Sequence, residues 1–119
     1  MEKLFDAELR LMEVIWECEP VSAKEISVIA ADKFGWNKNT TYTVIKRLTE
    51  KGALRRDEPG FVCTAALKKE DVQKSETKNL IDKLFGGSKK AFFAAFTDEK
   101  LSQDEIETLK NLIDKKGRL

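Results

Sequence analysis

Asn37-Lys38-Asn39-Thr40-Thr41-Tyr42-Thr43-Val44-Ile45-Lys46-Arg47-Leu48-Thr49-Glu50-Lys51-Gly52 is the stretch that decides the fold. Thr41, Val44, Ile45 and Leu48 recur at offsets of three and four, so it reads as a helix with one core-facing side. Asn39, Tyr42, Thr43, Lys46 and Glu50 fall on the opposite side. That side carries amide, hydroxyl and ammonium groups, the kind that read base edges and grip phosphates. Asn37 is placed to cap the start, and Gly52 to supply a left-handed stop. Just beyond, Ala53-Leu54-Arg55-Arg56 and Phe61-Val62-Cys63-Thr64 flank Asp57-Glu58-Pro59-Gly60, which predicts a two-stranded hairpin with a polar tip. A helix followed by a basic hairpin is the arrangement of a winged helix-turn-helix.

The residues upstream agree with this. Asp6 to Glu17 predicts a first helix with Leu9, Met12, Ile15 and Trp16 as its apolar stripe, Asp6 as its N-cap and Pro20 as its stop. Trp16 reads as core packing. Ser22 and Glu25 form a capping box at the start of a second helix, with Val21 and Ile26 placed as a hydrophobic staple. That helix runs through Ile26, Ile29 and Ala30 to Phe34, and Gly35 ends it. Two helices joined at Gly35-Trp36 match the helix-turn-helix spacing, in which the second helix enters the major groove.

Charge is distributed in the same sense. The net charge is only +1. Between Lys38 and Arg56, however, Lys38, Lys46, Arg47, Lys51, Arg55 and Arg56 face Glu50 alone. From Met1 to Trp36, Lys3, Arg10, Lys24 and Lys33 are outnumbered by Glu2, Asp6, Glu8, Glu13, Glu17, Glu19, Glu25 and Asp32. Positive charge is thus concentrated on the element proposed to touch DNA. A solvated helix face with clustered lysines is the blander reading of the same residues.

Composition bounds the rest. With 119 residues, 41% apolar and 36% charged, the chain suits one domain, or one compact domain with a small appendage, and neither a fibrous nor a disordered class. No run approaches the roughly 18–20 apolar residues of a membrane span, and no secretory leader is visible, so a cytoplasmic protein is expected. Cys18 and Cys63 are expected to be free thiols, buried or half-buried. Histidine is absent, which excludes Ser-His and Cys-His catalysis and leaves no zinc-binding pattern. Neither enzymatic activity nor a cofactor or metal is expected.

Beyond Leu67 the character changes. Lys68-Lys69-Glu70-Asp71 opens a charged helix with Val72, Leu80, Ile81, Leu84 and Phe85 as its apolar positions, broken at Gly86-Gly87. Ser88 caps a short helix bearing Phe92, Phe93 and Phe96. Ser102 with Glu105 repeats the capping box, Leu101 with Ile106 the staple, ahead of a stripe of Ile106, Leu109, Leu112 and Ile113. A unit of this size encloses little surface by itself. Three phenylalanines so close together need a partner surface, most simply a second copy of the segment. The alternative is that the segment folds back on its own winged domain.

The order of features resembles a known family. Leu11-Met12-Glu13-Val14-Ile15-Trp16 is similar to its opening motif, and Asn39 to Leu48 to its recognition-helix core. Glu50-Lys51-Gly52-Ala53-Leu54 is similar to the exit from that helix, and Leu84-Phe85-Gly86-Gly87-Ser88 to the loop opening its C-terminal part. This is the penicillinase and methicillin-resistance repressor family, the BlaI/MecI type. The resemblance implies a homodimeric repressor on palindromic operators with a TACA/TGTA core, and a C-terminal dimerisation domain. In the resistance systems it also implies inactivation by proteolysis, linked to a membrane-bound sensor with a zinc protease domain. Departures are visible. Cys63-Thr64-Ala65 stands where the family has Tyr-x-Pro after the wing. Ala95-Phe96 is the nearest match to the Asn-Phe bond cleaved in the resistance repressors, and the paired Cys-x-Cys motifs of the copper-responsive branch are absent.

The expectation is therefore a mostly α chain with a small β-hairpin: a winged helix-turn-helix domain at 1–67 and a small all-α dimerisation domain at 68–119. Asn39, Tyr42, Thr43 and Lys46 are expected to read bases. Lys38, Thr40, Arg47, Arg55 and Arg56 are expected to serve phosphates or the wing contact. A solvated edge strand is the other role open to the two arginines. Leu80, Leu84, Phe85, Phe92, Phe93, Phe96, Ile106, Leu109, Leu112 and Ile113 are the expected dimerisation positions. Expected partners are a double-stranded operator, a second copy of the chain and, acting indirectly, a sensor metalloprotease. The competing class is a winged-helix adaptor that contacts protein, since fold does not fix function.

Overall fold

A computed structural model of the chain describes residues 2–117. The element order is α1 (Asp6–Cys18), β1 (Val21–Ser22), α2 (Ala23–Phe34), α3 (Lys38–Glu50), β2 (Leu54–Asp57), β3 (Val62–Ala65), α4 (Lys69–Phe85), α5 (Lys89–Thr97) and α6 (Gln103–Gly117). The contacts divide the chain into two compact units, 1–76 and 77–119, with the division inside α4.

The first unit is a winged helix-turn-helix. Helices α1, α2 and α3 pack on one another, and α1 and α3 also cover the sheet. The core holds Leu4, Leu11, Met12, Ile15, Val21, Ala23, Ile26, Ala30, Val44, Ile45, Leu48, Ala53, Leu54, Cys63 and Val72. Val72 explains why the unit extends past Leu67: the first turns of α4 belong to this core. Trp16 is half-buried and donates its indole N–H to the Leu67 carbonyl at 3.0 Å, tying α1 to the exit from the sheet.

Three local expectations are corrected. The hairpin is part of a three-stranded antiparallel sheet in the order β1-β3-β2, because Val21 and Ser22 pair with Cys63 and Val62. The N-cap of α1 is Phe5, not Asp6; its N–H donates to the Glu8 carboxylate at 2.7 Å. Leu11 and Val14 are buried beside Met12 and Ile15, so α1 buries a wider arc than its stripe suggests, being flanked by α2, α3 and β3.

The capping box of α2 forms in a modified way. Ser22 Oγ accepts from the Glu25 N–H at 3.1 Å, while its hydroxyl donates to the Glu25 carboxylate at 3.0 Å. Glu25 therefore meets the hydroxyl of Ser22, whose backbone is held in β1. At the far end Gly35 takes φ +70°, a left-handed stop that a side chain disfavours. Both cysteines are free. Cys63 is fully buried, and burial pushes its thiol above the ordinary value, only partly offset by the Arg56 charge. Cys18 is exposed, contrary to expectation, because it ends α1 beyond the core.

The second unit comprises the C-terminal half of α4 with α5 and α6. Gly86 and Gly87 both take positive φ and end α4, and Ser88 Oγ caps α5 by accepting from the Ala91 N–H at 3.0 Å. At the start of α6 the Ser102–Glu105 box is reciprocal, with both backbone N–H groups satisfied. Hydrogen bonding to the carboxylate, first from the Ser102 N–H and then from the Ser102 side chain, holds the Glu105 carboxyl below the ordinary value. Phe85 meets Phe92 edge-on at 5.7 Å, and Phe92 stacks on Phe96 at 6.2 Å. The unit buries little: Ile81 is enclosed, but α5 has no buried residue. Phe93, Phe96, Leu112 and Ile113 are all exposed, and Phe93 lines an apolar hollow with Leu109, Leu112, Ile113 and Lys116.

Candidate nucleic-acid interface

Helix α3 has the two faces that its sequence predicts. Thr41, Val44, Ile45 and Leu48 are buried. Lys38, Asn39, Thr40, Thr43, Lys46, Arg47 and Glu50 are exposed, and Tyr42 is half-buried. Asn37 Oδ1 caps the helix by accepting from the Thr40 N–H at 2.8 Å. The connection from α2 is short and stiffened by Trp36, which packs on Phe34 with ring centroids 5.0 Å apart. The outer face of α3 is thus held on a rigid frame.

Within that face, Thr43 donates its hydroxyl to the Asn39 carbonyl at 2.9 Å. Its outward chemistry is then a methyl group and oxygen lone pairs, an acceptor rather than a donor. Asn39 and Lys46 retain exposed side chains with amide and ammonium donors.

The wing brings its arginines to the same unit in different ways. Arg55 lies 3.3 Å from Asp57, an exposed pair worth little. The Arg56 guanidinium lies over the Phe61 ring, its central carbon 3.9 Å from the ring centroid. Phe61 in turn meets Tyr42 edge-on, with centroids 6.0 Å apart, and the Lys38 ammonium lies 5.7 Å from the Tyr42 ring. Lys38, Tyr42 and Arg56 are therefore gathered into one cluster through Phe61. Sequence reading leaves Phe61 out, treating it as the first residue of a strand.

Lys51 is the reverse case. It adds to the positive charge of this region in sequence, yet it is turned inward. Its ammonium donates to the Glu8 carboxylate at 2.7 Å and to the Lys3 carbonyl at 2.8 Å, and lies 4.5 Å from the Phe5 ring. Burial pushes the Glu8 carboxyl up. The hydrogen bonds from Lys51 and the Phe5 N–H, with the charges of Lys51 and Arg47, outweigh burial and hold it below the ordinary value. The pair anchors the end of α3 to the start of α1.

In the second unit, Leu80, Leu84, Phe93, Phe96, Leu112 and Ile113 are exposed, while Phe85, Phe92, Ile106 and Leu109 are half-buried. Ala95 and Phe96 lie in α5 and are both exposed. Among the described residues no cluster of acidic or cysteine side chains is arranged to hold a metal ion. No helix among them is long and apolar enough to cross a membrane.

The family model described as penicillinase repressor matches residues 4–115. The chain is 32% identical over 117 residues to the methicillin resistance regulatory protein MecI of Staphylococcus aureus strain N315, covering 96% of this chain and 95% of that protein. The solution structure of the DNA-binding domain of the repressor BlaI matches with a TM-score of 0.54 at 33% identity, covering 60% of this chain and 93% of that one. The solution structure of Bacillus licheniformis BlaI, in its monomeric form in complex with the blaP half-operator, matches with a TM-score of 0.53 at 32% identity. It covers 59% of this chain and 88% of that one.

Proposed function

The chain belongs to the penicillinase repressor family, and on that premise we propose that it represses transcription as a homodimer seated on a palindromic operator. That it is a DNA-binding repressor and not an enzyme follows from the family. The observation that carries the finer reading is the outer face of α3, polar, basic and exposed on a buried scaffold. Lying in the major groove, it presents Asn39, Tyr42, Thr43 and Lys46 to base edges. Lys38, Thr40 and Arg47 on α3, and Arg55 and Arg56 on the wing, meet the backbone. Bacillus licheniformis BlaI, a relative of the same fold, has been solved in complex with a half-operator, which supports operator DNA as the ligand.

The exposed apolar side chains of the second unit supply the dimer contact. A dimer sets the spacing of two recognition helices on a palindrome, of TACA/TGTA type by family, and its occupancy excludes polymerase in the cytoplasm. The regulated genes are of the β-lactam-resistance type. Relief comes by proteolysis at Ala95-Phe96, set off indirectly by a membrane-bound sensor metalloprotease. In the single subunit that bond lies within a helix without buried residues, so a protease meets little packing there once the dimer has come apart.

Lys46→Ala tests the base-reading assignment. Loss of a base contact is expected to cost roughly 1–3 kcal/mol on the operator and much less on a scrambled duplex. Binding of both duplexes across a salt series measures it. Equal losses on the two, with a flatter salt slope, would move Lys46 to the phosphates. The adaptor reading predicts no steep fall of affinity with salt at all.

A further inference from the structure

The wing and the recognition helix meet through aromatic rings. From β2 to the first turns of α3 runs a ladder of cation, ring, ring and cation: Arg56, Phe61, Tyr42 and Lys38. Its central member is held in a costly backbone conformation. Phe61 has φ +56°, in the left-handed region where a bulky residue is an outlier. Neighbouring groups enforce this. The Phe61 N–H donates to the Glu58 carboxylate at 3.3 Å, and its carbonyl accepts from the Ala23 N–H at 2.9 Å. A residue kept in such a conformation by bonds on both sides points to a side chain whose position matters.

We infer that Phe61 is a positioning residue for DNA binding: its ring is the platform that holds Arg56 in a fixed plane for a backbone phosphate, and its contact with Tyr42 ties the wing to α3. The inference rests on the DNA-binding reading above. An arginine stacked on a ring keeps its donors available, because all five N–H groups lie in the guanidinium plane. Arg56 is exposed, so that edge is free to take two phosphate oxygens side by side. Stacking also removes rotamer freedom before docking, so less is lost when the phosphate arrives. Arg55, paired with the wing's own Asp57, has no such platform.

A double-mutant cycle in the full chain tests this. Arg56→Ala should lower affinity for operator and scrambled duplex alike and reduce the salt slope by about one. Phe61→Leu keeps apolar bulk against Tyr42 but removes the ring face. It should weaken both duplexes about three- to fivefold, the size of an exposed cation–π contact, and Phe61→Tyr should restore binding. In the Phe61→Leu background, Arg56→Ala should cost little more. Fully additive losses would overturn the inference. Arg56→Lys keeps the charge but not the planar stack, and tests the idea without touching Phe61. Its loss should approach that of Arg56→Ala, and wild-type affinity would overturn the platform role. Wild-type chain that binds duplex without salt dependence would instead sink the DNA-binding reading itself.

Discussion

Phe93→Asp is expected to convert the protein to a monomer and to weaken binding to a full palindromic operator by about 10²–10⁴-fold. Phe93 is exposed on α5 and faces an apolar hollow made with Leu109, Leu112 and Ile113 of α6. Each phenylalanine that a partner encloses contributes on the order of 1.5–3 kcal/mol. A carboxylate at that position must instead be desolvated without a partner, which adds a penalty to the lost burial. The first unit has its own core from Leu4 to Val72, so it should stay folded. A monomer then holds one half-site and forfeits the effective concentration of the second. Sedimentation velocity and operator binding on the same variant read both halves of the expectation. If the proposal is right, the wild-type melting temperature of the second unit should also rise with protein concentration, since folding and association are then linked. A variant that remains dimeric, or a monomer with wild-type affinity for the full operator, would sink the dimer proposal.

Lys51→Met is expected to destabilise the first unit by about 3 kcal/mol at neutral pH. The side chains of Glu8 and Lys51 are 3% and 17% exposed, and they meet at 2.7 Å. Glu8 Oε2 has no hydrogen-bond partner among the described residues. Removing the ammonium therefore leaves a buried carboxylate with the Phe5 N–H as its remaining hydrogen-bond donor here. The pH dependence has a definite sign. In the wild type the Glu8 carboxyl lies below its unfolded value, so its contribution is present above the ordinary carboxylate pKa. It is lost as pH falls through the folded value. In Lys51→Met burial dominates, the folded value rises above the unfolded one, and protonation relieves the strain. The deficit of the variant should thus begin to shrink as pH falls from 7 toward 5; the full recovery, reached only below the unfolded carboxylate value, is about 1.4 kcal/mol for each unit of that rise. Glu8→Gln with Lys51→Met should be less harmful than Lys51→Met alone. Urea unfolding at both pH values decides the matter; a variant as stable as wild type at pH 7 would show that the pair anchors nothing.

Much of the winged unit is legible in its sequence because the signals are local. The buried face of α3 follows from residues spaced three and four apart, and its cap from Asn37. Gly35 at φ +70° and Gly52 at φ +75° sit where helices stop. What sequence reading misses depends on contacts between distant residues. A two-residue strand such as Val21–Ser22 is too short to alternate, and its pairing with Val62 and Cys63 has no local trace. Lys51 counts as DNA-facing charge until Glu8, far upstream, is seen to claim it. Phe61 is hidden for a different reason. Gly60 is the obvious left-handed residue of the turn, with φ +88°, and nothing in the sequence says that the phenylalanine after it adopts positive φ as well. A Pro-Gly turn followed by an aromatic, with an arginine on the opposite strand, is the faint signal that could have drawn attention to its side chain.

Amide chemical-shift mapping shows whether α3 and the wing meet the operator. The isotope-labelled full chain would be titrated with a short duplex carrying a TACA/TGTA palindrome, and with a scrambled duplex of equal length. The operator should perturb amides of Lys38 to Arg47 on α3 and of Arg55 to Phe61 on the wing. The scrambled duplex should move the wing and the first turn of α3 more than Thr43 and Lys46. Perturbations confined to the second unit, or none on α3 at saturating operator, would contradict it.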